Sequence, residues 1–171
     1  MLKFRKMSPL YYVLTTLGIA VIVLLDQLSK LWAVHELQSV GTKDFLPGFL
    51  RFAYVENRGA AFGMLANSRW VFILITLVMV GAALFLLYMG KLPKILMTLP
   101  AVCIIGGGIG NLIDRIGKGY VVDMIDVQFM QFAVFNVADI FVCVGAGLVL
   151  LYLIVDEISS RKEKNYDADG T

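Results

Sequence analysis

The chain contains four apolar stretches, each long enough to cross the hydrocarbon core of a lipid bilayer. They cover residues 10–34, 71–90, 95–113 and 133–155. A helix needs about 20 apolar residues to span roughly 30 Å of hydrocarbon. Backbone N–H and C=O groups find no hydrogen-bond partner in lipid, so a spanning segment must satisfy them internally, as a helix does. The chain is therefore predicted to be an all-α membrane protein with four transmembrane helices.

Composition supports a membrane protein and excludes an ordinary soluble domain. Hydrophobic residues make up 59% of the 171 residues and charged residues only 16%, and the mean hydropathy is +0.80. The net charge of +2 is too small and too dispersed to predict a nucleic-acid partner. We expect one membrane domain at residues 1–158 and a polar, disordered tail at residues 159–171.

Basic residues near the span ends predict the orientation, because Lys and Arg are enriched in short cytoplasmic segments. They are densest at the N-terminus, in the turn between the second and third spans and in the C-terminal tail, as Lys3, Arg5, Lys6, Lys91, Lys94, Arg161, Lys162 and Lys164. Both termini are therefore predicted to be cytoplasmic. The longer connections, 35–70 and 114–132, then lie on the outer side of the membrane.

Two short strands are predicted in these outer connections. Residues 49–56 follow a Pro47-Gly48 turn and are rich in aromatic and β-branched side chains, and residues 119–123 form a second candidate. We expect these strands to form a small extracytoplasmic β-sheet, accompanied by a short outer amphipathic segment. Gly59, just after the first strand, allows the backbone to approach a neighbour closely.

An acidic side chain interrupts the last apolar stretch. Asp139 opens a run that is almost wholly apolar as far as Val155. An ionised carboxylate near the bilayer centre costs about 2.5–3.5 kcal/mol on insertion scales. Asn136 lies three residues earlier and so shares a helix face with Asp139. A side chain that is this costly to insert predicts a functional role.

Further polar groups are expected at the same membrane surface. Asn111 and Asp114 are also three residues apart, at the outer end of the third span, and Arg115 follows them. Asp123 lies in the connection between the two clusters, and Asp126 competes with it on spacing alone. These groups predict a site at the outer ends of the third and fourth spans.

A second carboxylate near Asp139 predicts acid–base chemistry. Two like charges a few ångströms apart do not both ionise cheaply, so such a pair tends to hold one shared proton. The ionised member can take a proton from water while the protonated member donates to a carbonyl oxygen, as in aspartic proteases. This hydrolysis requires no metal and no other cofactor. A proton-coupled transporter is the strongest alternative, although the chain lacks the internal repeat typical of one. A non-enzymatic assembly factor is a third.

Several residues also have a simpler structural interpretation. Asp26 and Lys30 are four residues apart near the outer end of the first span and can pair along one helix face. Asp114 and Arg115 can likewise form an ion pair that ends the third span. The glycine-rich run at 106–110 is expected to allow close helix packing. No metal site is predicted, because the candidate ligands lack nearby partners in the sequence: Cys103, Cys143 and His35.

Ordered motif blocks run along the chain: Asp26-Gln27-Leu28-Ser29-Lys30, Asn57-Arg58-Gly59-Ala60-Ala61-Phe62-Gly63, Asn111-Leu112-Ile113-Asp114-Arg115, Gly119 with Val122-Asp123, and Phe135-Asn136-Val137-Ala138-Asp139. With these blocks the chain resembles the lipoprotein signal peptidases, the type II signal peptidases of bacteria, from about residue 10 to residue 155. The one departure is Met124, where an aromatic residue is expected.

The resemblance implies an intramembrane aspartyl endopeptidase of the bacterial cytoplasmic membrane, with Asp123 and Asp139 as the catalytic pair. It thereby favours Asp123 over Asp126. The implied substrate is a prolipoprotein whose cysteine already carries diacylglycerol, cleaved just before that cysteine to release the signal peptide. We expect a monomer whose partners are this substrate and membrane lipid. The implied supporting and substrate-binding residues are Asn57, Gly59, Asn111, Asp114, Arg115, Asn136, Asp26 and Lys30.

Overall fold

The computed structural model describes residues 7–59, 68–90, 92 and 95–169. Four of its helices have the length and composition to cross a membrane, which confirms the four predicted spans. These helices are α1 (Pro9–Leu37), α2 (Arg69–Tyr88), α3 (Thr98–Gly117) and α4 (Val137–Asp169). The strands are β1 (Thr42–Leu46), β2 (Leu50–Asn57) and β3 (Val121–Val127).

Helix α3 lies at the centre of the bundle, because its glycines let the other three helices approach closely. A Cβ atom at Gly106 would lie 2.7 Å from Ile22 Cγ2 on α1, and one at Gly108 would lie 2.7 Å from Val80 Cγ2 on α2. A Cβ atom at Gly107 would collide with the backbone oxygen of Ala138 on α4. The glycine run therefore serves helix packing, as predicted.

The other three helices expose large apolar side chains along most of their length. Leu28 on α1, Leu74 on α2 and Leu150 on α4 are each more than half exposed. A bilayer solvates such side chains, so an apolar exterior is expected for spanning helices. The apolar surface and the central α3 together define a multi-pass membrane protein.

Three antiparallel strands form one small sheet in the order β1-β2-β3. The sheet packs on the C-terminal end of α1, where Ala33 and Leu37 contact Val122 and Met124 of β3. The sequence predicted β2 and β3 but not β1. All five residues of β1 are exposed, so the strand has no apolar alternation to indicate it. Met124, the departure from the expected aromatic, is a buried core residue.

Helix α4 continues to Asp169, into the stretch from residue 159 for which the sequence predicts a disordered tail. Arg161 Nε lies 2.8 Å from Glu157 Oε1, an ion pair between residues four apart that stabilises the helix. The expected outer amphipathic segment is not found as a separate helix among the described residues, and residues 60–67 lie outside them.

Candidate functional site

Both predicted aspartates line one cavity of about 540 Å³. Its wall is mostly apolar, and its polar side chains are few. Such a surface suits a ligand that is largely apolar and is oriented by a small number of polar contacts. The lining residues are Asn57, Gly59, Arg115, Asp123, Phe132, Ala133, Val134, Phe135, Asp139, Ile140, Cys143 and Val144.

Asp139 lies in the first turn of α4 and closes a reciprocal cap with Asn136. Asn136 Oδ1 accepts a hydrogen bond from the Asp139 backbone N–H at 3.0 Å, and the Asn136 N–H donates to Asp139 Oδ2 at 3.1 Å. This is a capping-box arrangement, in which two otherwise unpaired helix-end donors are satisfied. Asp139 thus lies at the end of its span. The sequence interpretation, which took its depth in the apolar run as the reason for a functional role, overlooked this structural role.

Asp123 lies on β3 and is 1% exposed. Asn57 Nδ2 donates to its Oδ2 at 2.9 Å, and Asn136 Nδ2 donates to its Oδ1 at 2.6 Å. Burial, assisted by the negative charge of Asp139, raises the pKa of Asp123 to about 6, although the two amide donors act against the rise. Asp123 can therefore hold a proton close to neutral pH.

Two asparagine amides connect the carboxylates. Asn111 Nδ2 donates to Asp139 Oδ1 at 2.8 Å. Asn136 Nδ2 donates both to Asp123 Oδ1 and, at 3.1 Å, to Asn111 Oδ1. Each carboxylate is thus held by an amide that also contacts the other amide. The structure brings Asp123, Asp139, Asn111 and Asn136 into a single hydrogen-bonded group.

Behind this group, Lys30 is a fully buried ammonium with three partners. Its Nζ lies 2.9 Å from Asp26 Oδ2 and 3.1 Å from Asp114 Oδ2, and it donates to Asn111 Oδ1 at 2.9 Å. The predicted Asp26–Lys30 pair is confirmed. None of these four residues is among the cavity-lining residues, but Asn111 bonds to the cavity residue Asp139, and the charge of Lys30 acts to lower the pKa of Asp123.

The alternative pairing of Asp114 with Arg115 is wrong. Asp114 instead contacts Lys30 and, at 3.2 Å, Lys118. The Arg115 guanidinium lies 5.1 Å from the centre of the Phe72 ring, and its Nη2 donates weakly to the Gly59 backbone oxygen at 3.5 Å. Arg115 thus lies at the cavity wall beside Gly59.

Asp126 is separated from the carboxylate group. It pairs with Arg51 of β2 across the sheet, with Arg51 Nε 2.7 Å from Asp126 Oδ2. Asp123 and Asp126 are three residues apart on one strand and therefore point to opposite faces. Only Asp123 lines the cavity.

Sequence reasoning missed two features of the site. Asp26 Oδ1 accepts a hydrogen bond from the backbone N–H of Ala138 at 3.0 Å, which links α1 to the first turn of α4. Cys143 lines the cavity; its spacing, four residues after Asp139, was the available signal. Ala60, Ala61, Phe62 and Gly63 of the second motif block lie outside the described residues.

The fold and the site together define a four-helix membrane protein whose mainly apolar cavity contains two acid side chains. A family model described as signal peptidase (SPase) II matches residues 18–155. The chain belongs to the signal peptidase II family, and it is accordingly a membrane peptidase.

Individual relatives agree with this assignment. The lipoprotein signal peptidase of Streptococcus pyogenes serotype M2 (strain MGAS10270) is 42% identical over 144 residues, which are 84% of this chain and 95% of that protein. That of serotype M5 (strain Manfredo) is 41% identical over the same length. A bacterial membrane enzyme solved by the in meso method matches with a TM-score of 0.76 at 28% identity, covering 84% of this chain and 88% of the other.

Proposed function

We propose that this protein is an intramembrane aspartyl endopeptidase that cleaves diacylglyceryl-modified prolipoproteins just before the lipidated cysteine. The observation that carries the proposal is the pair of carboxylates in one cavity, Asp123 and Asp139, held by two connected amides. The relatives' activity as lipoprotein signal peptidases supports the choice of substrate.

In the proposed mechanism the two carboxyl groups hold one proton between them. The ionised carboxylate takes a proton from a water molecule, and the water oxygen attacks the carbonyl carbon of the scissile peptide bond. The protonated carboxyl donates its proton to the carbonyl oxygen. In the tetrahedral intermediate the carboxyl that took the water proton donates it to the leaving nitrogen, and the C–N bond breaks. A hydroxyl of the intermediate gives its proton to the other carboxylate as the product carboxyl group forms, so the pair again holds one proton. No covalent enzyme intermediate is formed.

The raised pKa of Asp123 makes it the proposed proton carrier. Burial moves this pKa to about 6, so the proton is available near neutral pH without a strong acid. Asp139 is the proposed base, with Asn111 Nδ2 and the Asn136 N–H fixing the two oxygens of its carboxylate. Substrate that fills the cavity removes more water from Asp123 and favours its protonated form further.

The cavity wall suggests how the substrate is held. Phe132, Ile140 and Val144 offer apolar surface for a signal peptide or an acyl chain. Asn57 and Arg115 are the proposed polar contacts for the peptide backbone, and Gly59 lets it pass closely. We place this cavity near the outer face of the cytoplasmic membrane, with both chain termini inside and the protein acting as a monomer.

A direct test uses purified protein and two forms of one prolipoprotein, with and without the diacylglyceryl group. We expect cleavage before the cysteine of the modified form and little or none of the unmodified form. Asp139→Asn protein serves as the matched control for a contaminating peptidase. Equal cleavage of both forms would remove the proposed substrate class, and no cleavage by folded native protein would remove the proposed function.

A further inference from the structure

Lys30 is the most completely buried cation among the described residues, and it touches neither the cavity nor either cavity aspartate. It is 0% exposed, and its three ammonium protons face three acceptors, on Asp26, Asp114 and Asn111. Taking an ammonium ion out of water costs several kcal/mol unless its partners compensate. The two carboxylates balance the charge of Lys30, and the amide oxygen of Asn111 accepts its third N–H.

Lys30, together with the Asn136 amide that donates to the same oxygen, determines which way the amide group of Asn111 faces. An asparagine amide can be turned by 180°, which exchanges its acceptor oxygen and its donor nitrogen. An ammonium group is only a donor, so the reversed amide would place N–H groups against Lys30 Nζ. With its oxygen toward Lys30, Asn111 must present Nδ2 to Asp139 Oδ1, where it donates at 2.8 Å.

The other end of the Lys30 pair acts on the same helix turn. Asp26, whose Oδ2 contacts Lys30, uses its Oδ1 to accept the backbone N–H of Ala138, directly before Asp139. A Cβ atom at Gly110 would collide with Asp26 Oδ2, so a side chain at this position of α3 would displace the Asp26 carboxylate. Lys30 is therefore connected to Asp139 by two sets of contacts, one through Asn111 and one through Asp26 and the start of α4.

We infer that Lys30 is a positioning residue, which fixes the amide orientation of Asn111 and thereby holds the Asp139 carboxylate toward Asp123. The inference rests on the proposed function of the aspartate pair. Lys30 contacts no substrate. It acts on the rate of bond cleavage and leaves substrate binding unchanged.

The experiment compares kcat and KM for a diacylglyceryl-modified precursor in native protein, Lys30→Met and Lys118→Met. Lys118 is the matched control, because its ammonium also contacts Asp114 but is partly exposed and does not contact Asn111. We expect Lys30→Met to lower kcat about tenfold or more with KM within about twofold of native, and Lys118→Met to retain native kcat. A raised KM with native kcat, or native values for both in folded Lys30→Met, would overturn the inference.

A second variant covers the case in which Lys30→Met does not fold because the buried Asp26 carboxylate loses the ammonium that it pairs with, whereas Asp114 keeps Lys118. Asp26→Asn combined with Lys30→Met removes both charges of the pair, while the amide oxygen introduced at position 26 still accepts from the Ala138 N–H. We expect this protein to fold and to show the same loss of kcat, and native kcat in it would contradict the inference.

Asn111→Asp provides a third arm that keeps Lys30. The new carboxylate still accepts from Lys30 but has no N–H to donate to Asp139. We expect kcat to fall, and we expect Lys30→Met to cause little further fall in this background, because the two residues act through one contact. Native kcat in Asn111→Asp, or fully additive losses in the double variant, would refute the inference. Asp139→Asn distinguishes failure of the inference from failure of the proposed function, because cleavage retained in this variant would contradict the proposed function itself.

Discussion

Asn111 and Asp139 are joined across the interface of α3 and α4 by a hydrogen bond of 2.8 Å from Nδ2 to Oδ1. This contact connects the cavity to the buried charges behind it, because the oxygen of the same amide accepts from Lys30. The site therefore has two layers. Asp123 and Asp139 line the cavity, and the half-buried Asn111 together with buried polar side chains behind it holds them in place.

The pH dependence of cleavage follows from the raised pKa of Asp123. Because the active pair needs one proton, kcat/KM is expected to fall as the pH rises through about 6, the pKa that burial gives Asp123. The folded pKa lies above the unfolded value, so the free energy of unfolding should also fall as the pH rises from about 4 to about 6. A pH–rate profile that stays flat through this range would contradict the assignment of Asp123 as proton carrier.

Asn57 should modify that profile. Its amide donates to Asp123 Oδ2 and holds the pKa of Asp123 down. In Asn57→Ala the alkaline limb of kcat/KM should move to higher pH by about one unit or more, since a hydrogen bond to a charged group contributes about 1.5–3 kcal/mol and one pKa unit corresponds to about 1.4 kcal/mol. Glu56→Gln is the neighbouring control on the same strand. An unshifted limb in Asn57→Ala would mean that this contact does not act on Asp123.

The glycines of the bundle should differ sharply in their tolerance of alanine. At Gly110 the new Cβ would collide with Asp26, whereas at Gly81 on α2 nothing lies within 4 Å. Overpacking costs about 1–3 kcal/mol, while alanine in open helical positions is favourable by up to about 1 kcal/mol. Thermal unfolding in detergent should therefore show a lower midpoint for Gly110→Ala and an equal or higher one for Gly81→Ala. Equal losses in both would argue against the packing role.

Asp126→Asn should leave cleavage intact. Its carboxylate forms a partly exposed ion pair with Arg51, and such pairs contribute about 0–1 kcal/mol. We expect native kcat and a small change in the unfolding midpoint, measured beside Asp123→Asn. Loss of cleavage in folded Asp126→Asn would contradict the choice of Asp123 over Asp126 as the partner of Asp139.

Cleavage should persist in EDTA. Within residues 7–59, 68–90, 92 and 95–169, no group of three His, Cys, Asp or Glu side chains is placed to hold a metal ion. The proposed pair activates water by proton transfer alone. Inactivation by the chelator, followed by recovery with a divalent ion, would indicate a metalloenzyme instead.

The sequence predicted the parts of this structure that have a local signal. Span length predicted the four helices, and the three-residue spacings placed Asn111 with Asp114 and Asn136 with Asp139 on shared faces. The three-residue spacing of Asn136 and Asp139 is also typical of a helix N-terminal cap, but the role predicted for Asp139 from the sequence rests only on the cost of inserting its charge. Local pattern also predicted β2 and β3.

Features that depend on distant contacts could not be predicted in this way. Asp26 accepts from Ala138, 112 residues away, and neither residue indicates the other in sequence. Spacing left Asp123 and Asp126 equivalent, and only the family resemblance favoured Asp123, because the choice depends on which strand face meets the cavity. Strand β1, exposed throughout, carries no apolar alternation and is held by its pairing with β2.

The most direct measurement of the central claim is cleavage of a diacylglyceryl-modified precursor by purified Asp123→Asn and Asp139→Asn, each checked for native folding. General acid–base groups contribute about 10²–10⁴-fold to rate, so both variants should lose about a thousandfold or more in kcat while still binding the precursor. Cleavage at the native rate by either folded variant would contradict the proposal that these two acids share the proton that splits the peptide bond.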